Sequence, residues 1–328
     1  MVGILCASSQ LQLCPGGDLA MTAGESAGGE FATIDRFRRR LPGPPTGEIW
    51  IGDDAAVLSL AAGPVLLTTD ITVAGVHADL ALMGLDDLGW RAVATAVSDV
   101  AAMGGRAGRL LVAVAGPAST DLDLLYRGVA DAAAAHGCGV AGGDLSNASD
   151  LVVVVTVAGA VGDGPGPVLR SGARPGDHLF VTGPLGASAA GLRTLRAGQT
   201  VPALADAYRR PRARLVEGEA ARKAGATAMI DVSDGLGADL GHIARASGVG
   251  FRLHDVPVAA GATIEEALAG GDDYQLVIAA PDRVALSSAF ATTGLAPPLL
   301  IGVCTSDTAQ REWTGGPLPA TGFEHRWD

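Results

Sequence analysis

Aromatic residues make up only 4% of the 328-residue chain, and lysine occurs once, at Lys223. The single lysine excludes two common phosphoryl-transfer templates. A P-loop places lysine inside G-x-x-x-x-G-K-[ST], and a protein kinase needs one on its third strand. Lys223 lies instead in Glu219-Ala220-Ala221-Arg222-Lys223-Ala224, which reads as ordinary helix surface. The four cysteines (Cys6, Cys14, Cys138 and Cys304) form no C-x-x-C pair, so reduced thiols in a cytoplasmic protein are expected. No apolar run approaches the roughly 18 residues of a membrane span. The longest, Leu151 to Val161, contains Thr156 and Gly159. Met1 to Ala7 is apolar but follows no basic stretch, which argues against a signal peptide. A net charge of −12 leaves no basic face for nucleic acid and none for anionic lipid.

Hydrophobic residues amount to 48% and glycine to 47 residues, so Ala, Val and Leu must fill the core of one or two domains. The polar signal is a recurring aspartate at the end of a strand-like run. Gly52-Asp53-Asp54 is followed by Val65-Leu66-Leu67-Thr68-Thr69-Asp70, and later by Ser98-Asp99, Gly142-Gly143-Asp144 and Asp231-Val232-Ser233-Asp234-Gly235. One such aspartate is usually a turn residue or a helix cap. Repeated, the pattern suits hard divalent cations, because Mg²⁺ pairs one or two carboxylates with water and substrate phosphates.

The N-terminal 28 residues read as a flexible extension, and Met21 is a second candidate start. A helix is expected from Phe31 into the basic run Arg36 to Arg40, ended by Pro42. Strand-like Ala55 to Leu60 follows. Gly89 to Met103 has helical periodicity and carries Asp99 among small apolar residues, where a carboxylate needs a partner. Strands are expected over Leu110 to Ala115, Gly139 to Asp144 and Leu151 to Val161, with a helix over Asp121 to His136 bearing Tyr126. Gly162-Asp163-Gly164-Pro165-Gly166-Pro167 reads as a hinge, dividing the chain into 29–162 and 163–328. Beyond it, strands are expected at His178 to Thr182, Ala228 to Asp231, Phe251 to Val256, Gln275 to Ala279 and Leu299 to Cys304. Helices are expected from Ala187, over Arg212 to Ala224 and over Leu236 to Ala246. The last would turn its N-terminal N–H groups to the Asp231 loop, favouring anions.

In order, these stretches resemble the thiamine-monophosphate kinase family. The matching pieces are Gly52-Asp53-Asp54-Ala55, Thr68-Thr69-Asp70, Gly75-Val76-His77, Ser98 to Gly104, Gly142-Gly143-Asp144, Arg170 to Asp177, Val181-Thr182-Gly183, Ile230 to Leu236 and Gly270 to Tyr274. The resemblance implies a PurM-like fold, with an α/β N-terminal half that dimerises through its sheet and an α+β C-terminal half. It implies ATP, several Mg²⁺ ions and thiamine monophosphate as acceptor. Asp54, Thr68, Thr69, Asp70, Asp99, Asp144, Asp231 and Asp234 match the family's metal ligands, among which Asp70, Asp231 and Asp234 would stand closest to the chemistry. Tyr126, Gly143, Asp144, Arg170 and Ser233 match positions that hold ATP. His77, Asp272 and Phe323 match positions near the thiamine phosphate. Asp272 stands where the family usually has glutamate.

Other reactions built on the same acidic pattern, of the aminoimidazole-ribonucleotide synthetase or selenophosphate synthetase type, are the nearest alternatives. A non-catalytic nucleotide-binding module is a more distant one. The carbamoyl dehydratase of this group needs a C-terminal cysteine, and the chain ends Arg326-Trp327-Asp328. An acceptor that is itself a phosphate, with a second pKa near 6, needs no general base, which fits the lack of a His/Asp or Ser/His constellation.

Overall fold

The computed structural model describes residues 30–48, 50, 51, 56, 58, 59, 63 and 65–318. Gly52-Asp53-Asp54-Ala55, half of the strand expected over 55–60, the extension 1–28 and Phe323 lie outside the described residues, and the described Ala56, Leu58 and Ser59 are not in a strand. The first half contains α1 (Glu30–Arg40), β1 (Val65–Val73), α2 (Leu85–Ala102), β2 (Arg106–Gly116), α3 (Leu122–Ala135), β3 (Gly139–Asn147) and β4 (Val152–Ala160). Its strands form one sheet in the order β1-β4-β2-β3. β4 pairs antiparallel with both β1 and β2, whereas β2 and β3 run parallel.

The β-branched run of β4 alternates in burial along its length. Val153, Val155 and Val157 are buried against the helices, as a half-covered strand requires. The helices lie on one face because α2 and α3 approach each other closely. A Cβ on Gly89 would sit 2.1 Å from the Leu125 carbonyl oxygen, and one on Gly128 would sit 1.8 Å from that of Asp86. The opposite face of the sheet is uncovered, with Leu67 72% exposed and Ile71 51% exposed.

The second half contains β5 (His178–Val181), α4 (Ala187–Arg196), α5 (Pro202–Arg209), α6 (Leu215–Lys223), β6 (Ala228–Asp231), α7 (Leu236–Ser247), β7 (Gly250–Leu253), α8 (Ile264–Ala269), β8 (Leu276–Ala280), α9 (Arg283–Thr292), β9 (Leu299–Thr305), β10 (Arg311–Trp313) and β11 (Gly316–Pro317). The strand order is β11-β10-β7-β9-β5-β8-β6. Three helices absent from the sequence expectations start on local signals. Thr263 and Glu266 form a capping box at α8, Asp282 accepts from the N–H groups of Val284 and Ala285 at α9, and Pro202 opens α5.

The halves meet around α2. Leu195, Ala205 and Tyr208, from α4 and α5, join the first core. The Trp90 indole donates to the Pro211 carbonyl at 2.7 Å. Arg222 on α6 is fully buried and straps both halves to the 162–167 segment. Its Nε donates to the Gly104 carbonyl at 3.0 Å and its Nη2 to that of Asp163 at 3.2 Å, while Nη1 donates to that of Pro165. Removing this guanidinium leaves the buried Gly104 carbonyl without this donor, at about 1–3 kcal/mol, and also drops the bonds to the exposed Asp163 and Pro165. Arg222→Ala is therefore expected to lower the unfolding free energy by about 3 kcal/mol in a urea titration. A loss below about 1 kcal/mol would show that the strap is not structural.

Candidate active site

α2 is the ruler of the site. Arg91, Thr95 and Asp99 follow at i, i+4 and i+8 and all line one cavity of ≈ 640 Å³. Eight residues at 1.5 Å each separate Arg91 from Asp99 by about 12 Å along the axis. Around the Asp99 end stand Thr69 and Asp70 from β1, and Asp231, Ser233 and Asp234 from the turn after β6. His77, Asp272 and Tyr274 also line the cavity.

Two hydroxyls organise the acidic end. The Thr68 hydroxyl donates to Asp99 Oδ2 at 2.5 Å, and the Ser98 hydroxyl donates to Asp231 Oδ2 at 2.6 Å. Consecutive residues of α2 thus reach β1 on one side and β6 on the other. Burial pushes the Asp99 carboxyl above its usual range, and the Asp70 charge adds to the rise. Burial lifts Asp231 to about 6 against the opposing Ser98 bond, with Asp99 contributing. The Arg170 guanidinium works the other way on both carboxyls. The carboxylates of Asp70, Asp99, Asp231 and Asp234 and the neighbouring hydroxyls line one cavity and are hard oxygen donors of the kind that magnesium takes.

The turn after β6 adds residues that the sequence reading did not single out. Asp239 is buried and accepts from the N–H groups of Asp234 and Gly235, both at 3.1 Å. Those two N–H groups at the start of α7 are consequently occupied by a carboxylate and not open to a phosphate. Burial and the charges of Asp234 and Asp231 raise Asp239 to about 8. Donor atoms of Asp234, Asp239 and His242 lie within 4.8 Å of one another. The signal available in the sequence was the i, i+3 spacing of Asp239 and His242 on one face of α7.

Segment 271–275 pairs with the same turn. Asp272 N–H donates to the Ser233 carbonyl at 2.8 Å and Tyr274 N–H to that of Val232 at 2.9 Å. Asp272 and Tyr274 have φ of 65° and 49°, a left-handed conformation that costs non-glycine residues about 1–3 kcal/mol each. Side-chain anchors hold it. Asp272 Oδ2 meets Arg91 Nη2 at 2.5 Å, and Asp272 Oδ1 accepts from the Tyr274 hydroxyl at 2.9 Å. Asp273 points the other way and accepts from Gly186 and Ser188 N–H at 2.5 and 3.2 Å, fixing the start of α4. Burial raises Asp273 to about 6. His77 closes this part of the wall, its Nδ1 accepting from Val73 N–H at 2.9 Å.

Not all residues matched by sequence converge within one chain. Thr68, Thr69, Asp70, His77, Asp99, Asp231, Ser233, Asp234 and Asp272 gather at the cavity, and Arg170 acts on its carboxylates. Tyr126, Gly143 and Asp144 do not line it. β3 and β1 are opposite edges of the sheet, three strand spacings or roughly 14 Å apart. There the Asp144 charge and, more strongly, burial raise the Tyr126 phenol, whose hydroxyl donates to the Val112 carbonyl at 3.2 Å. Gly143 has a packing reason of its own, since a Cβ there would meet the Val112 oxygen at 1.9 Å. Asp54 and Phe323 fall outside the described residues. Among the cavity residues that the motifs missed is Arg91, spaced at i−8 from Asp99, with Asp79, Thr95, Arg196 and Tyr208.

The raised carboxyls set a pH dependence. Asp231, Asp273 and Asp239 keep protons when folded that they have released when unfolded. Their stabilising contribution is complete below the ordinary carboxylate range and is lost as pH rises through their folded values. Without divalent cations, the thermal midpoint is therefore expected to fall between about pH 4 and about pH 8. Mg²⁺ with a nucleotide should raise it more at about pH 8 than at about pH 5. A larger increment at the lower pH would contradict the donor set.

Residues 52–161 match the N-terminal domain, and 174–311 the C-terminal domain, of the AIR synthase related proteins. A thiamine-monophosphate kinase of Mycobacterium tuberculosis is 39% identical over 301 residues, covering 88% of this chain and 90% of that protein. The crystal structure of the enzyme from Stenotrophomonas maltophilia superposes with a TM-score of 0.76 at 33% identity, covering 88% of this chain and 98% of that one. The structure of AaThiL complexed with AMPPCP and TMP gives 0.71 at 30% identity, covering 91% and 97%. The expected two-domain PurM-like fold is the one found. With fold and sequence in agreement, the chain belongs to the thiamine-monophosphate kinase family.

Proposed function

We propose that the chain transfers the γ-phosphoryl group of ATP to thiamine monophosphate, giving thiamine diphosphate and ADP. The observation that carries this reading is one cavity with Asp70, Asp99, Asp231 and Asp234 gathered at the far end of α2 from Arg91. Two phosphate-bearing molecules must meet where charge is compensated, and the about 12 Å to Arg91 leaves room for the organic part of one of them. A relative held AMPPCP and TMP together, an ATP analogue beside the same kind of acceptor.

The acceptor's phosphate oxygen attacks the γ-phosphorus while the bond to the β,γ-bridging oxygen breaks, and ADP leaves with that electron pair. The attacking oxygen is already anionic near neutral pH, so no side chain need remove a proton. Bound magnesium would offset the repulsion between the two polyanions. Asp70, Asp99, Asp231 and Asp234, with the Thr68 and Thr69 hydroxyls, would hold it. The Thr68 and Ser98 hydroxyls fix one oxygen each of Asp99 and Asp231 by hydrogen bonds. Asp54 and Asp144 join this set on the strength of the family pattern, as do Tyr126, Gly143, Arg170 and Ser233 for ATP and His77, Asp272 and Phe323 for thiamine monophosphate. The domain boundary falls at 162/163 in this reading, and the protein acts in the cytoplasm.

The chain works as a homodimer through the uncovered face of its first sheet. Leu67 and Ile71 stand there in the open, and burying each is worth about 1.5–3 kcal/mol. Asp144 is exposed and Thr69 shares the face of Leu67, so a second copy packed on this face borders both residues.

Incubation with Mg-ATP and thiamine monophosphate, followed by separation of the products, should yield thiamine diphosphate and ADP in equal amounts. ADP formed without thiamine diphosphate would sink the assignment. Asp70→Asn should lower kcat on the order of a thousandfold without moving the thermal midpoint of the metal-free protein. Normal turnover would remove Asp70 from the metal site. Leu67→Asp should convert a sedimenting dimer to monomer, and an unchanged sedimentation coefficient would overturn the proposed interface.

A further inference from the structure

We infer that Arg91 is a positioning residue for the acceptor substrate, acting through Asp272. The inference rests on the reaction proposed above and assigns a residue that neither the sequence motifs nor the family pattern pointed to. The Arg91 side chain is 2% exposed although it belongs to the cavity wall. One arm of its guanidinium meets Asp272 Oδ2 at 2.5 Å, and the other donates to the Tyr208 carbonyl at 2.5 Å. The Tyr208 ring lies beneath the guanidinium, 5.3 Å from centroid to Cζ. Burial works against this charge, but the Asp272 carboxylate together with the Tyr274 and Tyr208 side chains outweighs it and holds the guanidinium above its ordinary value.

The consequence falls on Asp272. Its backbone is left-handed, a conformation that aspartate keeps only where the surroundings fix it. Arg91 pins one carboxylate oxygen and the Tyr274 hydroxyl pins the other. Each oxygen has two lone pairs, so one on each oxygen is still free, and the Asp272 side chain is 38% exposed. The pair therefore offers a carboxylate of fixed orientation, still able to accept, about two helical turns from the acidic end. Thiamine monophosphate carries a cationic thiazolium between its phosphate arm and an aminopyrimidine at the remote end, and a fixed anion is a matching group for either. Arg91 lies on α2 of the first half and Asp272 on the strand extension of the second, so this anchor also ties acceptor binding to the fit between halves.

Steady-state kinetics with both substrates separates a positioning role from a merely structural one. Arg91→Met should raise the KM for thiamine monophosphate about tenfold, leaving the KM for ATP within about twofold and kcat within about threefold. Arg91→Lys, which restores the charge but not the fork, should recover part of the loss. Asp272→Asn should mimic Arg91→Met, and the double substitution should be little worse than either alone. If Arg91→Met does not fold, Tyr274→Phe removes one hydroxyl from the same carboxylate and should raise the same KM about threefold. Unmoved KM values, a parallel rise for both substrates, or multiplying effects in the double variant would overturn the inference. Failure of the unsubstituted protein to make thiamine diphosphate would instead overturn the proposed reaction.

Discussion

Mutual repulsion among Asp70, Asp99, Asp231 and Asp234 is the constraint that the architecture has to satisfy. Asp99 and Asp231 are pushed upward by burial, with the Asp70 charge adding at Asp99 and the Asp99 charge adding at Asp231. A fold that only sought stability would disperse them, since buried unpaired charge is among the costliest features a protein can carry. Here three separate chain segments bring them together. The arrangement holds because Thr68 and Ser98 supply short hydrogen bonds and because one wall is open to solvent and ligand.

Helix α2 carries the cost and sets the distances. Its small residues allow α3 to pack closely on one side and α6 on another, where a Cβ on Gly218 would come 2.1 Å from the Ala101 oxygen. Its Ser98 and Asp99 link β6 to β1, and its Arg91 links it to the 272–274 segment. Both halves are thereby registered against a single rigid rod. Strain is stored opposite that rod, at the left-handed Asp272 and Tyr274, where a site needs a fixed side chain more than a relaxed backbone.

The long elements were legible in the sequence because burial and periodicity coincide in them. β4 falls within the β-branched run Leu151 to Val161, and α7 matches the period from Leu236. Short amphipathic α5, α8 and α9 were not read, since caps alone mark them. Chemistry was legible as repeated aspartates, and Asp70, Asp99, Asp231 and Asp234 line one cavity. Their hydroxyl partners were visible only as neighbours in sequence. Arg91 was invisible because nothing local distinguishes a buried cation whose partner lies about 180 residues away. Asp144 and Tyr126 show the converse. The resemblance places Asp144 with the metal ligands and both residues with ATP, whereas sheet order puts β3 at the far edge from β1. Strand order is a property of long-range pairing that no local pattern encodes.

The most direct measurement is anomalous diffraction from crystals grown with Mn²⁺ in place of Mg²⁺, together with a non-hydrolysable ATP analogue and thiamine monophosphate. Peaks within about 2.5 Å of carboxylate oxygens of Asp70, Asp99 and Asp231 are expected. Peaks confined to exposed carboxylates elsewhere, with none among these three, would contradict the convergence on which the proposed chemistry stands.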